Sequence, residues 1–207
     1  MKYTIPNQLT IIRIVLTPVF VFLILQPEPH YRLWATVVYV VASLTDWYDG
    51  YFARRFNWVT RWGQFMDPLA DKLLVSSALI VFAYLGYLYW WMVWTIVIRD
   101  FVVTGLRIFA LYIGKSIITS IIAKYKTFLQ MAFTFALLLY MNIPGLPDVR
   151  LSAVQRPYLQ WTTLTLGLVV LLTLISGIQY LIVNRSHVAE LFRRLWRIIL
   201  KIFQKES

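Results

Sequence analysis

The chain has 207 residues, of which 60 % are apolar and only 14 % charged, with a mean hydropathy of +0.67 and a formal net charge of +11. Soluble domains run at about half apolar and a quarter charged, so one water-exposed globule is excluded and lipid is the expected solvent. The basic residues fall between apolar runs and in the tail, beside Trp, Tyr and Leu, which is the pattern of cytoplasmic membrane flanks and not of a nucleic-acid surface.

Spanning a bilayer in helix takes about 20 mainly apolar residues. Six runs qualify, near 9–25, 33–52, 65–85, 88–113, 126–141 and 159–183. The expected fold is therefore an all-α integral membrane protein with six transmembrane helices. A single domain over 1–184 accounts for them, followed by a basic tail over 185–207. In that tail Val188, Leu191, Leu195, Ile198, Ile199 and Ile202 form an apolar stripe, with Arg193, Arg194, Arg197 and Lys201 largely elsewhere. That pattern predicts a C-terminal amphipathic interfacial helix.

The first run carries Arg13 and no small-residue cleavage site follows it, so it reads as a retained helix and not a signal peptide. Asn7 and Thr10, around the start of that run, are expected to cap an interfacial helix or to touch a nucleotide. Lys2, Arg54, Arg55, Arg61, Arg107, Lys115, Lys124, Lys126 and the tail share one side of the membrane, which is expected to be cytoplasmic and to hold both termini. The absence of cysteine removes disulfides and thiolate metal sites. His30 and His187 stand far apart and read as interface residues.

The chemistry concentrates between the second and third runs. Four of the nine acidic residues, Asp46, Asp49, Asp67 and Asp71, lie within 26 positions, flanked by apolar segments where unpaired carboxylates are costly. Asp46 and Asp49 are spaced i,i+3, and Asp67 and Asp71 i,i+4, so each pair shares one helical face. The short basic connection between the runs lets the two faces meet at the cytoplasmic end. Arg54, Arg55, Arg61 and Lys72 offer structural ion-pair partners. Alternatively, four facing carboxylates call for two divalent cations, and an all-oxygen set favours Mg2+ or Mn2+, a pairing suited to displacement at phosphorus. Gly50, Ala53 and Gly63 are small, as close approach of a phosphate requires and as helix packing also favours. Arg54 can bind a diphosphate oxygen or anchor the interface.

The segment Asp46-Trp47-Tyr48-Asp49-Gly50-Tyr51-Phe52-Ala53-Arg54, then eight residues, then Gly63-Gln64-Phe65-Met66-Asp67-Pro68-Leu69-Ala70-Asp71, resembles the signature of the CDP-alcohol phosphatidyltransferase family at all its fixed positions. The resemblance implies that Asp46, Asp49 and Asp67 hold two metals, with Asp71 joining the metal site and acting as base. It implies that Gly50, Ala53 and Arg54 lie against the cytidine diphosphate moiety. It also implies a six-helix membrane enzyme, usually a homodimer, of the cell inner (cytoplasmic) membrane, acting on CDP-diacylglycerol.

Outside the signature, the stretches at 5–13, 98–107 and 114–130 are similar to the branch of that family that uses glycerol 3-phosphate. Asp100 stands where that branch usually has Glu, Ile108 where a second Glu is common, and Ala123 where Gly is common. The implied products are phosphatidylglycerophosphate and CMP. Arg107, Lys124 and Lys126, at the cytoplasmic ends of the fourth and fifth runs, are the expected partners of the acceptor phosphate, or else simple membrane anchors. Arg99 and Asp100, inside an apolar run, are expected to pair with each other or with the site. The alternatives within the family are cardiolipin, phosphatidylinositol phosphate or phosphatidylserine synthesis. A divalent-cation transporter is the alternative from another class, disfavoured because the acidic residues cluster at one membrane face.

Overall fold

In the computed structural model, which describes residues 5–56, 61–112, 114, 121–143 and 159–185, the described residues form six α-helices and no strand. These are α1 (Ile5–Leu25), α2 (Pro29–Arg55), α3 (Arg61–Tyr84), α4 (Trp90–Tyr112), α5 (Ile121–Met141) and α6 (Leu159–Val183). At 21–27 residues each and 1.5 Å per residue, they are roughly 32–40 Å long. By length and composition, α1, α5 and α6 each contain a segment apolar enough to cross a membrane; α2, α3 and α4 carry the carboxylates of the site. The expected tail helix lies, from residue 186 on, outside the described residues.

Several helices begin beyond the apolar runs that announce them. The first starts by Ile5, the second at Pro29 and the fifth at Ile121, because a helical backbone does not stop where side chains turn polar. Pro29 suits the first helical position, where its missing N–H loses nothing. The earlier start of α1 corrects the capping expectation: Asn7 and Thr10 lie within the helix, and both are buried. The third helix ends in a Schellman turn, in which Tyr87 N donates to Phe82 O (2.8 Å) and Gly86 N to Ala83 O (3.0 Å). Gly86, at φ 83°, supplies the left-handed residue that this turn requires. It reverses the chain directly into α4.

Packing is inverted relative to a soluble bundle. On α1 the buried stripe is Asn7, Thr10, Arg13, Thr17, Phe20 and Ile24, while Ile11, Val15, Val19 and Phe22 face outward. The last helix likewise buries Thr162, Thr173 and Ser176 and exposes Leu164, Leu168, Leu171 and Ile178. An apolar exterior around a partly polar interior is what a lipid solvent selects. The first helix packs on α2 and α3, α5 on α6, and α4 on both α3 and α6. The apolar core, with Phe20, Tyr39, Leu79, Phe82, Ile96 and Leu137, sits towards one end and leaves the other to the polar residues.

Candidate active site

At that polar end, a cavity of ≈ 600 Å³ opens between α2, α3, α4, α5 and α6. One wall carries Asp46 from α2 with Asp67 and Asp71 from α3. A second wall, from the other helices, carries Arg99, Asp100 and Arg107 of α4 and Lys124 of α5, and Lys72 of α3 lines the cavity as well. The helical spacing read from the sequence thus brings three of the four expected carboxylates to one cavity. Asp49, Gly50, Ala53 and Arg54 lie on the last two turns of α2; their side chains fall outside the described residues.

Each described carboxylate has a cation or a hydroxyl on one of its oxygens. Arg13 Nη1 lies 2.7 Å from Asp46 Oδ1. The Thr10 hydroxyl donates to Asp67 Oδ1 at 2.5 Å. Lys72 Nζ is 2.9 Å from Asp71 Oδ2. Pro68, inside α3, removes one helical hydrogen bond directly after Asp67, loosening the backbone ladder where the site needs room.

The second wall is tied together by Asp100. Its Oδ1 receives Arg99 Nη1 at 3.0 Å and its Oδ2 receives Lys126 Nζ, with the Asp100 and Lys126 side chains each 1 % exposed. Arg99 Nη2 continues to Ser176 Oγ of α6 at 2.9 Å, its chain passing 3.5 Å from where a Cβ on Gly177 would stand. Arg99 and Asp100 therefore pair both with each other and with the site. Of the three cations expected at the acceptor, Arg107 and Lys124 are exposed on the cavity wall, whereas Lys126 is buried behind it.

Sequence reasoning passed over Arg13 as a site residue, along with Thr104, Ser176 and Tyr180. A signal for Arg13 was present: a lone arginine inside an apolar helix, in step with Asn7 and Thr10 at three-residue intervals, is a functional candidate by default.

The donor chemistry fits hard divalent cations, since among the described residues the cavity offers carboxylate and hydroxyl oxygens with no His or Cys. Among the described residues no three acidic, His or Cys side chains gather closely enough to hold an ion. The set includes Asp49 only through its place on α2, one turn after Asp46.

Residues 3–175 match the CDP-alcohol phosphatidyltransferase family. The chain belongs to that family. It is 37 % identical over 190 residues to the CDP-diacylglycerol–glycerol-3-phosphate 3-phosphatidyltransferase of Bacillus subtilis, covering 86 % of this chain and 93 % of that protein. Proteins of the same name from Pectobacterium atrosepticum and Escherichia coli K12 are 40 % and 38 % identical, over 67 % and 69 % of this chain and 78 % and 81 % of theirs. The family match spans Asp46, Asp49, Asp67, Asp71 and Asp100, the whole of α1, and the cavity lining except Tyr180. The structural features described above therefore belong to a phosphatidyltransferase framework.

Proposed function

We propose that this chain transfers the phosphatidyl group of CDP-diacylglycerol to sn-glycerol 3-phosphate, giving phosphatidylglycerophosphate and CMP for phospholipid synthesis. The observation that carries the reading is the mixed lining of one cavity. Asp46, Asp67 and Asp71 share it with Arg107 and Lys124, as a donor diphosphate and a second anionic substrate require. The relatives' shared activity supports the same donor and acceptor.

Two divalent cations, Mg2+ or Mn2+, would be held by Asp46, Asp49, Asp67 and Asp71. When bound they supply charge neutralisation at the diphosphate and at the departing CMP. The protein's own groups do the rest. Gly50, Ala53 and Arg54, from the last two turns of α2, are assigned to the cytidine diphosphate. Arg107 and Lys124 hold the acceptor phosphate by charge-assisted hydrogen bonds, and Lys126 acts through Asp100. Asp71 takes the proton from the free primary hydroxyl of glycerol 3-phosphate. That oxygen bonds to the phosphorus bearing diacylglycerol, the bridging P–O bond breaks, and CMP leaves with the electron pair.

The same reading places six helices across the cell inner membrane as a homodimer. Both termini and the cavity face the cytoplasm, where glycerol 3-phosphate and CMP are soluble. Its test is direct. Purified protein is given CDP-diacylglycerol, Mg2+ or Mn2+, and in turn glycerol 3-phosphate, phosphatidylglycerol, inositol phosphate and serine, with CMP release as readout. Release with glycerol 3-phosphate alone is expected; release with another alcohol instead would move the chain to a different branch of the family.

A further inference from the structure

Among the described residues, none of the first helix lines the cavity, yet two of its side chains reach the carboxylates from behind. Thr10 and Arg13 are both 0 % exposed. They lie three residues apart on the inward face of α1, so one helix edge addresses Asp67 of α3 and Asp46 of α2 together. Thr17, one turn on, donates back to the Arg13 carbonyl at 2.9 Å, which keeps this polar edge internal.

Stability does not explain an arginine there. Taking a guanidinium out of water is expensive, and a buried ion pair is often no more stabilising than apolar residues of similar volume. The neighbouring positions on this stripe, Phe20 and Ile24, show that α1 packs with apolar residues where no carboxylate is opposite. What the pair does accomplish is geometric. Asp46, Asp67 and Asp71 carry like charges around one cavity and repel. A cation on one oxygen of Asp46 and a hydroxyl on one oxygen of Asp67 hold both carboxylates in place, and a carboxylate has a second oxygen to offer.

We propose that Thr10 and Arg13 are positioning residues for the metal-binding carboxylates: Arg13 neutralises Asp46 before any cation is bound, and Thr10 orients Asp67 to receive one. This rests on the dimetal reading above. It assigns α1 a role in cation binding that does not involve contact with either substrate.

The two residues separate by experiment. Thr10→Val keeps the shape and removes only the donor, while Thr10→Ser keeps the donor. With Mn2+ binding to the purified, substrate-free protein followed by electron paramagnetic resonance, Thr10→Val should bind about 10-fold or more weakly, the usual effect of losing a ligand's orienting partner. Thr10→Ser should stay within about twofold of wild type. Arg13→Gln should lower the Tm of the metal-free protein by about 5 °C, and saturating Mn2+ should restore most of that loss, because a divalent ion replaces the missing charge. Arg13→Lys, which retains a cation, should remain close to wild type without metal. Equal Tm losses for Arg13→Gln with and without Mn2+, or unchanged Mn2+ affinity in Thr10→Val, would overturn the proposal while leaving the dimetal site intact. No Mn2+ binding by the wild-type protein would overturn the dimetal reading and this proposal together.

Discussion

Lys126 of α5 and Asp100 of α4 form an ion pair whose two side chains are each 1 % exposed, so a cation expected at the acceptor is held inside the protein by a carboxylate on the neighbouring helix. Arg99 shares that carboxylate and extends it to Ser176. Three helices are thereby fixed around the second wall of the cavity. Asp100→Ala should destabilise the protein by about 3–5 kcal/mol, the cost of leaving a buried cation without its partner. The double substitution Asp100→Leu with Lys126→Met should recover most of that loss in thermal unfolding while remaining inactive. A double mutant as unstable as Asp100→Ala would mean that the pair is not what the fold depends on there.

The carboxylates give the sharpest test of the chemistry. Asp49→Ala or Asp67→Ala should abolish turnover and weaken cation binding, since each removes charge from a shared site. Asp71→Asn should abolish turnover yet retain CDP-diacylglycerol binding, because it removes the proton acceptor and keeps the shape. Chelation should stop the wild-type reaction and added Mg2+ or Mn2+ should restore it. Sustained activity in chelated enzyme would refute the dimetal mechanism.

The acceptor side separates by substrate. Arg107→Ala or Lys124→Ala should raise the KM for glycerol 3-phosphate by roughly tenfold to a hundredfold, the equivalent of one hydrogen bond to a charged group at about 1.5–3 kcal/mol. The KM for CDP-diacylglycerol should move far less. Glycerol, which lacks the phosphate, should be a poor acceptor for the wild type and no poorer for either variant. Equal losses with both acceptors would reassign these cations to membrane anchoring.

Topology can be read without removing any native thiol, since the chain has no cysteine. Glu28, in the turn between α1 and α2, and Phe56, just past the end of α2, are both exposed. Glu28→Cys should react with an impermeant thiol reagent in intact cells, and Phe56→Cys only after lysis. The reverse result would turn the cavity away from the cytoplasm.

The helices and the carboxylate spacing were legible in the amino-acid order because both are local. An apolar run of about 20 residues announces a span, and Asp46 with Asp49, or Asp67 with Asp71, share a face by helical pitch alone. What the order could not specify was which distant side chains complete the site. Thr10 meets Asp67 across 57 positions, Lys126 meets Asp100 across 26, and Arg99 meets Ser176 across 77. Those meetings depend on how each helix is rotated about its axis. In water an apolar stripe reveals that rotation; here the lipid-facing sides are apolar and the core-facing sides largely so, and the pattern marks it only where polar residues keep step, as on α1. Only the packing of α1 against α2 and α3, and of α5 against α6, α2 and α3, decided that Arg13 stands behind Asp46 and that Lys126 turns inward while Lys124 remains at the cavity.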